Sequence, residues 1–436
     1  MKYKYKNLIP VVLIIFMAAA WYQLISDSLS ATREYNQYVE SARSFSKDGV
    51  LFDAVENYNN ALKMKDSIEL RMELADLYKN NEMLDEATDE AEAMISAFPQ
   101  NALSYQYLMD LYLYQESYKG CFSVYDRANK IGAVSEKMNQ IISDIRYKYE
   151  VVVSGISEVS TYSNDICAVK VGDLWGFVDV SGNYVIGAKY KQAGDFTGDK
   201  VFVETEEGER YFIDSNGSKR GVLPDGITPE TVGNFQDGVY PLCTSGTFDY
   251  YTIDKQKNLS GYSDATTFEN GYAAVLSDGG YGLIDIQGNK IGNCDYTKVA
   301  CDERNVATEN ERTFFLKGDT WVMVSMDGNV VGSDTYEEVR TFCPNGGYAA
   351  VKKDGKWGFI DGEGAMCISP QFEDARSFSY GYAAVKKDGK WGFIDTSGEM
   401  VIAPIFQEAM DMNSKGNMFV KEEGGWELIS LYQYNY

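Results

Sequence analysis

GYAAVKKDGKWGFID at Gly347–Asp361 recurs without a change at Gly381–Asp395, an offset of 34 residues. A third copy, GYAAVLSDGGYGLID at Gly271–Asp285, keeps ten of the fifteen positions. Working outward from the I-D step, the same place recurs at Asp179, Asp214, Asp254, Asp285, Ser325, Asp361, Asp395 and Ser430. The successive gaps are 35, 40, 31, 40, 36, 34 and 35 residues. A period of this size means a chain built from stacked units, each too small to bury its own apolar face.

Each unit reads as strands. Tyr382–Lys387 alternates small, apolar and long residues, Asp388-Gly389 supplies a hairpin turn, and Trp391–Asp395 returns. Thr396-Ser397-Gly398 turns again, Met400-Val401-Ile402 is a third strand, and a fourth is expected between Phe406 and Met412. Both faces of the first strand are apolar or small, which suits sheets covered on both sides. The last unit, 417–430, lacks its final strands, and 150–162 lacks its first ones, so the two complete one unit between them. These features predict a closed, propeller-like array of about eight units, with an open β-solenoid as the alternative.

The residues Trp175-Gly176, Trp357-Gly358 and Trp391-Gly392, with Tyr281-Gly282 close behind, give this region its resemblance. It looks like a WG-repeat protein across 150–436. Arg210, Tyr250, Val322 and Glu427 depart from the dipeptide. The resemblance implies an all-β repeat, a binding or scaffolding role, and no defined catalytic residues.

Residues 34–149 read differently. Apolar residues fall at helical spacing, and small residues at Ala54, Ala87 and Cys121 recur every 33 to 34 positions, each with an aromatic or apolar residue four later. Met138, Ile141, Ile142 and Ile145 form the stripe of a closing helix. This stretch resembles the tetratricopeptide repeat, an α-solenoid, although Met109 stands where a small residue is usual. In that family the first helix of each pair lines the binding groove. Carried over, the partner-binding residues would be Arg43, Lys47, Asp76, Asn80, Asp110 and Tyr114.

The start of the chain suggests a membrane address. Lys2, Lys4 and Lys6 precede an uncharged run at 8–25, just long enough to cross a hydrocarbon core. The expected plan is a cytoplasmic stub at 1–7, a transmembrane anchor or signal peptide at 8–25 and a linker at 26–33. The expected localisation is single-pass in a bacterial cell membrane, N-terminus cytoplasmic and repeats extracytoplasmic, or secreted after signal cleavage.

Charge and composition narrow the function. With 40 basic against 65 acidic residues the net charge is −25, which opposes nucleic-acid binding. Histidine is absent, which removes histidine-based catalysis and metal ligation. The D-x-x-G turns, such as Asp395–Gly398, lack the carboxylates of a calcium loop and read as structural. Seven cysteines, without a C-x-x-C pair, read as small buried hydrophobes, with a Cys294–Cys301 disulfide as the alternative. The acidic run Glu204–Glu209 reads as a solvated face. The combined expectation is a non-enzymatic, membrane-anchored scaffold for a protein partner on the cell surface. It has no metal and no cofactor, and the alternative is binding of a cell-wall glycan.

Overall fold

The computed structural model describes residues 8–432, with side chains from residue 16 onward. The chain divides into two compact units, one up to Arg146 and one from Tyr147.

The first unit is helical. Among the described residues it comprises α1 (Leu8–Lys47), α2 (Leu51–Met64), α3 (Ile68–Asn80), α4 (Leu84–Ala97), α5 (Ala102–Tyr114), α6 (Tyr118–Lys130) and α7 (Glu136–Ile145). The breaks have local causes. Gly49 takes φ +75° after α1 and Gly132 takes φ +73° after α6, conformations that glycine adopts without steric cost. Ser67 and Ser135 accept hydrogen bonds from the amides of Leu70 and Met138, capping α3 and α7. α1 packs on α2, α3 on α4, and α5 on α6. Ala54, Ala87 and Cys121 are wholly buried, so helices approach closely at those points.

The membrane expectation is corrected here. Among the described residues no helix is long and apolar enough to cross a membrane, which counts against the single-pass localisation. Asp27, Arg33 and Glu34 follow the apolar run within the unbroken α1 helix, which also runs through the expected linker at 26–33. The expected stub at 1–7 lies outside the described residues, as do the side chains of 8–15.

The second unit is all antiparallel β. Here too the expected architecture is corrected. Among the described residues the strands sort into seven separate sheets, six of four strands and one of seven, with no closed barrel or propeller. Eight equal sheets fail to appear because Tyr184–Ala193 is long enough to pair on both sides. It joins Leu174–Asp179 to Lys200–Thr205 and so fuses two repeats. The expected fourth strand is also reassigned. Glu408–Ala409 leaves the sheet of Met400–Phe406 and pairs instead with Asn417–Glu422 of the next sheet. One sheet draws on both ends of the unit: Tyr149–Ile156 pairs with Gly425–Leu431.

The repeated sequence has a physical reading at almost every position. Asp388 and Gly389 both take positive φ, as a two-residue hairpin requires. Asp395 accepts hydrogen bonds from the amides of Ser397 and Glu399, closing the next turn, and Asp285 and Asp361 do the same in their repeats. The glycine after tryptophan lies under a bulge in the third strand. A Cβ on Gly392 would sit 2.5 Å from the Ile402 carbonyl oxygen, and one on Gly358 would sit 2.6 Å from that of Ile368. The strand faces bury in opposite directions. Phe393 packs with Met418, Val420 and Ile429 of the following repeat, while Ile394 packs with Phe359 and Ile368 of the preceding one. Trp357, Trp391 and Trp426 are buried with them.

The run at Glu204–Glu209 is not uniformly solvated. Glu204 is 4% exposed and is held by Arg210 at 2.6 Å and Lys191 at 3.3 Å. All seven cysteines are free thiols, so the Cys294–Cys301 disulfide does not form.

Candidate functional site

The groove residues expected in the helical unit fall into two groups. Arg43 makes a two-pronged ion pair with Glu73 at 2.7 and 2.9 Å. Asp76 accepts a hydrogen bond from the Tyr107 hydroxyl at 2.8 Å, and Asp110 pairs with Lys137 at 2.6 Å. These three therefore tie α1 to α3, α3 to α5, and α5 to α7. Lys47, Asn80 and Tyr114 remain exposed, with the Lys79 ammonium 5.4 Å from the Tyr114 ring centre. The six residues lie along successive helices, but half of them brace neighbours.

A different place collects more chemistry. In the β unit, the short segment between the two-residue strand and the first long strand of each repeat turns toward one cavity of about 560 Å³. All eight repeats contribute, from Thr161 near one end of the β unit to Ser414 near the other.

One of these segments differs from the rest. Residues 376–381 suffice to join Asp374–Ala375 to Tyr382–Lys387, whereas residues 300–311 join Lys298–Val299 to Arg312–Lys317. The additional length forms a loop across the cavity. Asp302 shapes the loop, its Oδ1 accepting from the amides of Arg304 and Val306. The Arg304 carbonyl accepts from Asn234 and Thr267, and the Thr267 amide donates to the Asn305 carbonyl at 2.8 Å. Three other repeats thereby hold the loop through its backbone and side chains: those of Asn234, Thr267 and, on the far side, Ser163.

The loop delivers Arg304, whose side chain is 6% exposed. It binds Asp302 at 2.6 Å and Glu309 at 3.4 Å. Burial alone would lower the affinity of this guanidinium for its proton, but Asp302 and Glu309 more than offset it. Arg376 forms a second centre, with Asp411 at 2.7 Å and Glu303 of the loop at 2.9 Å. Arg340 pairs with Asp374 at 3.0 Å and stacks over the Trp357 ring at 5.3 Å. Burial, and then the neighbouring Glu309, push the Glu269 carboxyl up to about 7. Burial likewise raises Asp195, behind the cavity wall, to about 6. Among the described residues no group of three or more carboxylates or thiols could hold a metal ion.

Four stretches, residues 175–207, 327–357, 357–391 and 391–426, match the family model described as WG containing repeat. The chain carries WG repeats. Thr197, Thr341, Arg376 and Asp411 of the cavity wall lie within these stretches, whereas Gln236, Glu269 and the Arg304 loop lie outside them. No curated protein sequence matches the chain. Among solved structures it is similar to Hsv2 of Kluyveromyces lactis, at 10% identity over 65% of this chain and 98% of that one, with a TM-score of 0.37. The same protein with its loop 6CD replaced by a Gly-Ser linker gives 10% identity, 64% and 100% coverage and a TM-score of 0.39. A chain of a mitotic checkpoint complex gives 9% identity, 66% and 95% coverage and a TM-score of 0.35. Nothing further follows from likeness of this degree.

Sequence reasoning missed Arg304, Arg376, Glu269 and Glu309. The spacing of 40 residues between Asp285 and Ser325 reflects the added loop, but Asp214–Asp254 has the same spacing without one, so the signal is not specific.

Proposed function

We propose that this chain is a non-enzymatic scaffold that presents repeat surfaces to a protein partner, with the β-unit cavity as the principal contact. The observation that carries the reading is the convergence of all eight repeats on that cavity. Its arginines are held in ion pairs of 2.6–3.0 Å with Asp302, Asp374 and Asp411, so the charged groups are fixed for recognition. A polar cavity with rigid charges favours a partner segment of complementary charge. Trp357, Trp391 and Trp426 are buried, so these repeat tryptophans offer no stacking platform to a glycan. In the helical unit, the complete burial of Ala54, Ala87 and Cys121 supports a tetratricopeptide-like reading, with Lys47, Asn80 and Tyr114 as its remaining groove residues.

The test is a crosslinking pull-down with the full chain. Wild type, a cavity variant (Arg376→Ala) and a helical variant (Asn80→Ala with Tyr114→Ala) are compared, each checked for folding. Loss of a partner from the cavity variant alone is expected. Loss from the helical variant alone would move the contact to the α unit, and recovery of no protein above a control would remove the scaffold reading.

A further inference from the structure

We propose that the loop at 300–311 is an intramolecular stand-in for the partner: it occupies the recognition surface of the cavity, and a partner binds by displacing it. The inference rests on the scaffold reading and deepens it by naming how the contact is regulated and what the partner presents.

The loop is an addition to the repeat. The corresponding connection has six residues in five other repeats, at 160–165, 194–199, 233–238, 266–271 and 376–381, and twelve here. The two ends of the loop keep the common frame. The Ala300 amide donates to the Phe314 carbonyl as the Thr266 amide does to that of Ala274, and Glu309 bridges to Arg312 as Glu269 does to Tyr272. Ala307 packs with Ala274, Leu283 and Phe315. The surplus is therefore 301–306, and the frame is complete in other repeats without it.

The rest of the β unit grips this surplus as a receptor grips a peptide, through main-chain carbonyls and the tip of a charged side chain. The Arg304 carbonyl accepts from Asn234 at 3.0 Å and from the Thr267 hydroxyl at 3.2 Å. The Asn305 carbonyl accepts from the Thr267 amide at 2.8 Å. Glu303 binds Arg376 at 2.9 Å. These grips come from three repeats.

The charges are arranged so that the loop can leave. The closest ion pair of Arg304, at 2.6 Å, is with Asp302 of the same loop, and it departs intact. Arg376 keeps Asp411 at 2.7 Å. Neither arginine is stranded, so withdrawal avoids the large cost of an uncompensated buried cation. The charged contacts broken are Glu303–Arg376, whose acid is 43% exposed, and the 3.4 Å contact of Arg304 with Glu309. Glu309 lines the cavity, which the departing loop opens to water. The neutral hydrogen bonds that break are replaced by bonds to water, at about 0.5–1.5 kcal/mol each. The vacated surface then describes the partner: a protein turn that offers adjacent peptide carbonyls to Asn234 and Thr267 and a carboxylate to Arg376.

The experiment compares the full chain with one lacking residues 301–306, which has the six-residue connection of the other repeats. The probe is a capped peptide of residues 300–307 with Cys301→Ser, titrated by NMR. Saturable one-site binding is expected for the shortened chain. The full chain should bind at least about tenfold more weakly, because its own loop holds the site closed in more than about nine chains in ten. Glu303→Ala in the peptide should weaken binding tenfold or more. A second measurement needs no variant. The Thr267 amide is wholly buried and bonded to the loop, so in the full chain it should exchange at least tenfold faster than the slowest amides of the β unit, through loop opening. No binding by the folded shortened chain, equal binding by both chains, or a Thr267 amide as slow as the slowest overturns the proposal. If the shortened chain does not fold, the exchange rate alone decides. In the crosslinking pull-down the shortened chain should recover more partner than the full chain. Peptide binding with no partner recovered by either chain would remove the scaffold reading alone. A partner recovered equally by both folded chains would remove this inference alone.

Discussion

Arg304 donates from Nη1 to the Ser163 hydroxyl at 3.4 Å, linking residues 141 positions apart. The bond itself is long, and the more important relation is between Arg304 and the acids it neutralises. Asp302 and Glu309 are 15% and 9% exposed at their side chains. Replacing Arg304 by methionine keeps most of the volume and strands both carboxylates. A loss of about 3–5 kcal/mol is expected, as for other buried pairs broken on one side. Urea unfolding of the variant measures it, and a loss below about 1 kcal/mol would mean that the loop is not anchored through its charge.

The raised carboxyl of Glu269 makes a pH prediction. Its folded-state value, about 7, lies above its ordinary value of 4.5, so the folded chain holds the proton more tightly. The stability from this group is complete below about 4.5 and is lost as pH rises through 7. Glu269→Gln should therefore flatten the fall in melting temperature between pH 5 and pH 8, and should be the more stable protein at pH 8. Parallel melting curves for the two proteins over that range would contradict the assignment.

The glycine of the repeated dipeptide should resist substitution for a backbone reason. Gly392→Ala drives a methyl into the Ile402 carbonyl and the Pro404 nitrogen, which cannot move independently. A cost of about 1–3 kcal/mol is expected from such overpacking. Gly187→Ala is the control, since nothing lies within 4 Å of its added carbon. Thermal melts of the two variants should differ by several degrees in that order.

In the helical unit, the bracing and the exposed residues should separate. Arg43→Ala breaks an exposed pair with Glu73, worth at most about 1 kcal/mol. Combining it with Asp76→Ala and Asp110→Ala removes the ties from α1 to α3, α3 to α5 and α5 to α7 and should lower the melting temperature measurably. Asn80→Ala with Tyr114→Ala should leave it nearly unchanged, because exposed substitutions usually stay within about 0.5 kcal/mol.

Some of this molecule could be read from its residues and some could not. The strands around Trp391–Asp395 and the Asp388-Gly389 turn were legible because a short run buried on both faces and a positive φ leave local marks. The WG repeats and the helix-rich first unit were legible for the same reason. The fusion of two repeats through Tyr184–Ala193 left no such mark, since it depends on the length of one strand and the path of its neighbour. The apolar start of α1 was read as a span from hydropathy over 8–25, whereas no helix among the described residues is long and apolar enough to cross a membrane. Asp76 and Asp110 looked free because Tyr107 and Lys137, which bind them, lie 31 and 27 residues away. The cavity was hidden for a similar reason, since its wall comes from eight places along the β unit.

The pairing of Tyr149–Ile156 with Gly425–Leu431 sets a timetable for synthesis. Val151 leaves the ribosome about 280 residues before Ile429, the residue opposite it. At translation speeds of roughly 5–20 residues per second the wait is about 14–56 s. Throughout it the early strand has an open hydrogen-bonding edge and carries Val151 and Val152, which stay over 40% exposed even in the finished fold. The β unit therefore completes its pairing only when this late strand is available, and the interval before that step is when a chaperone would matter most to its yield.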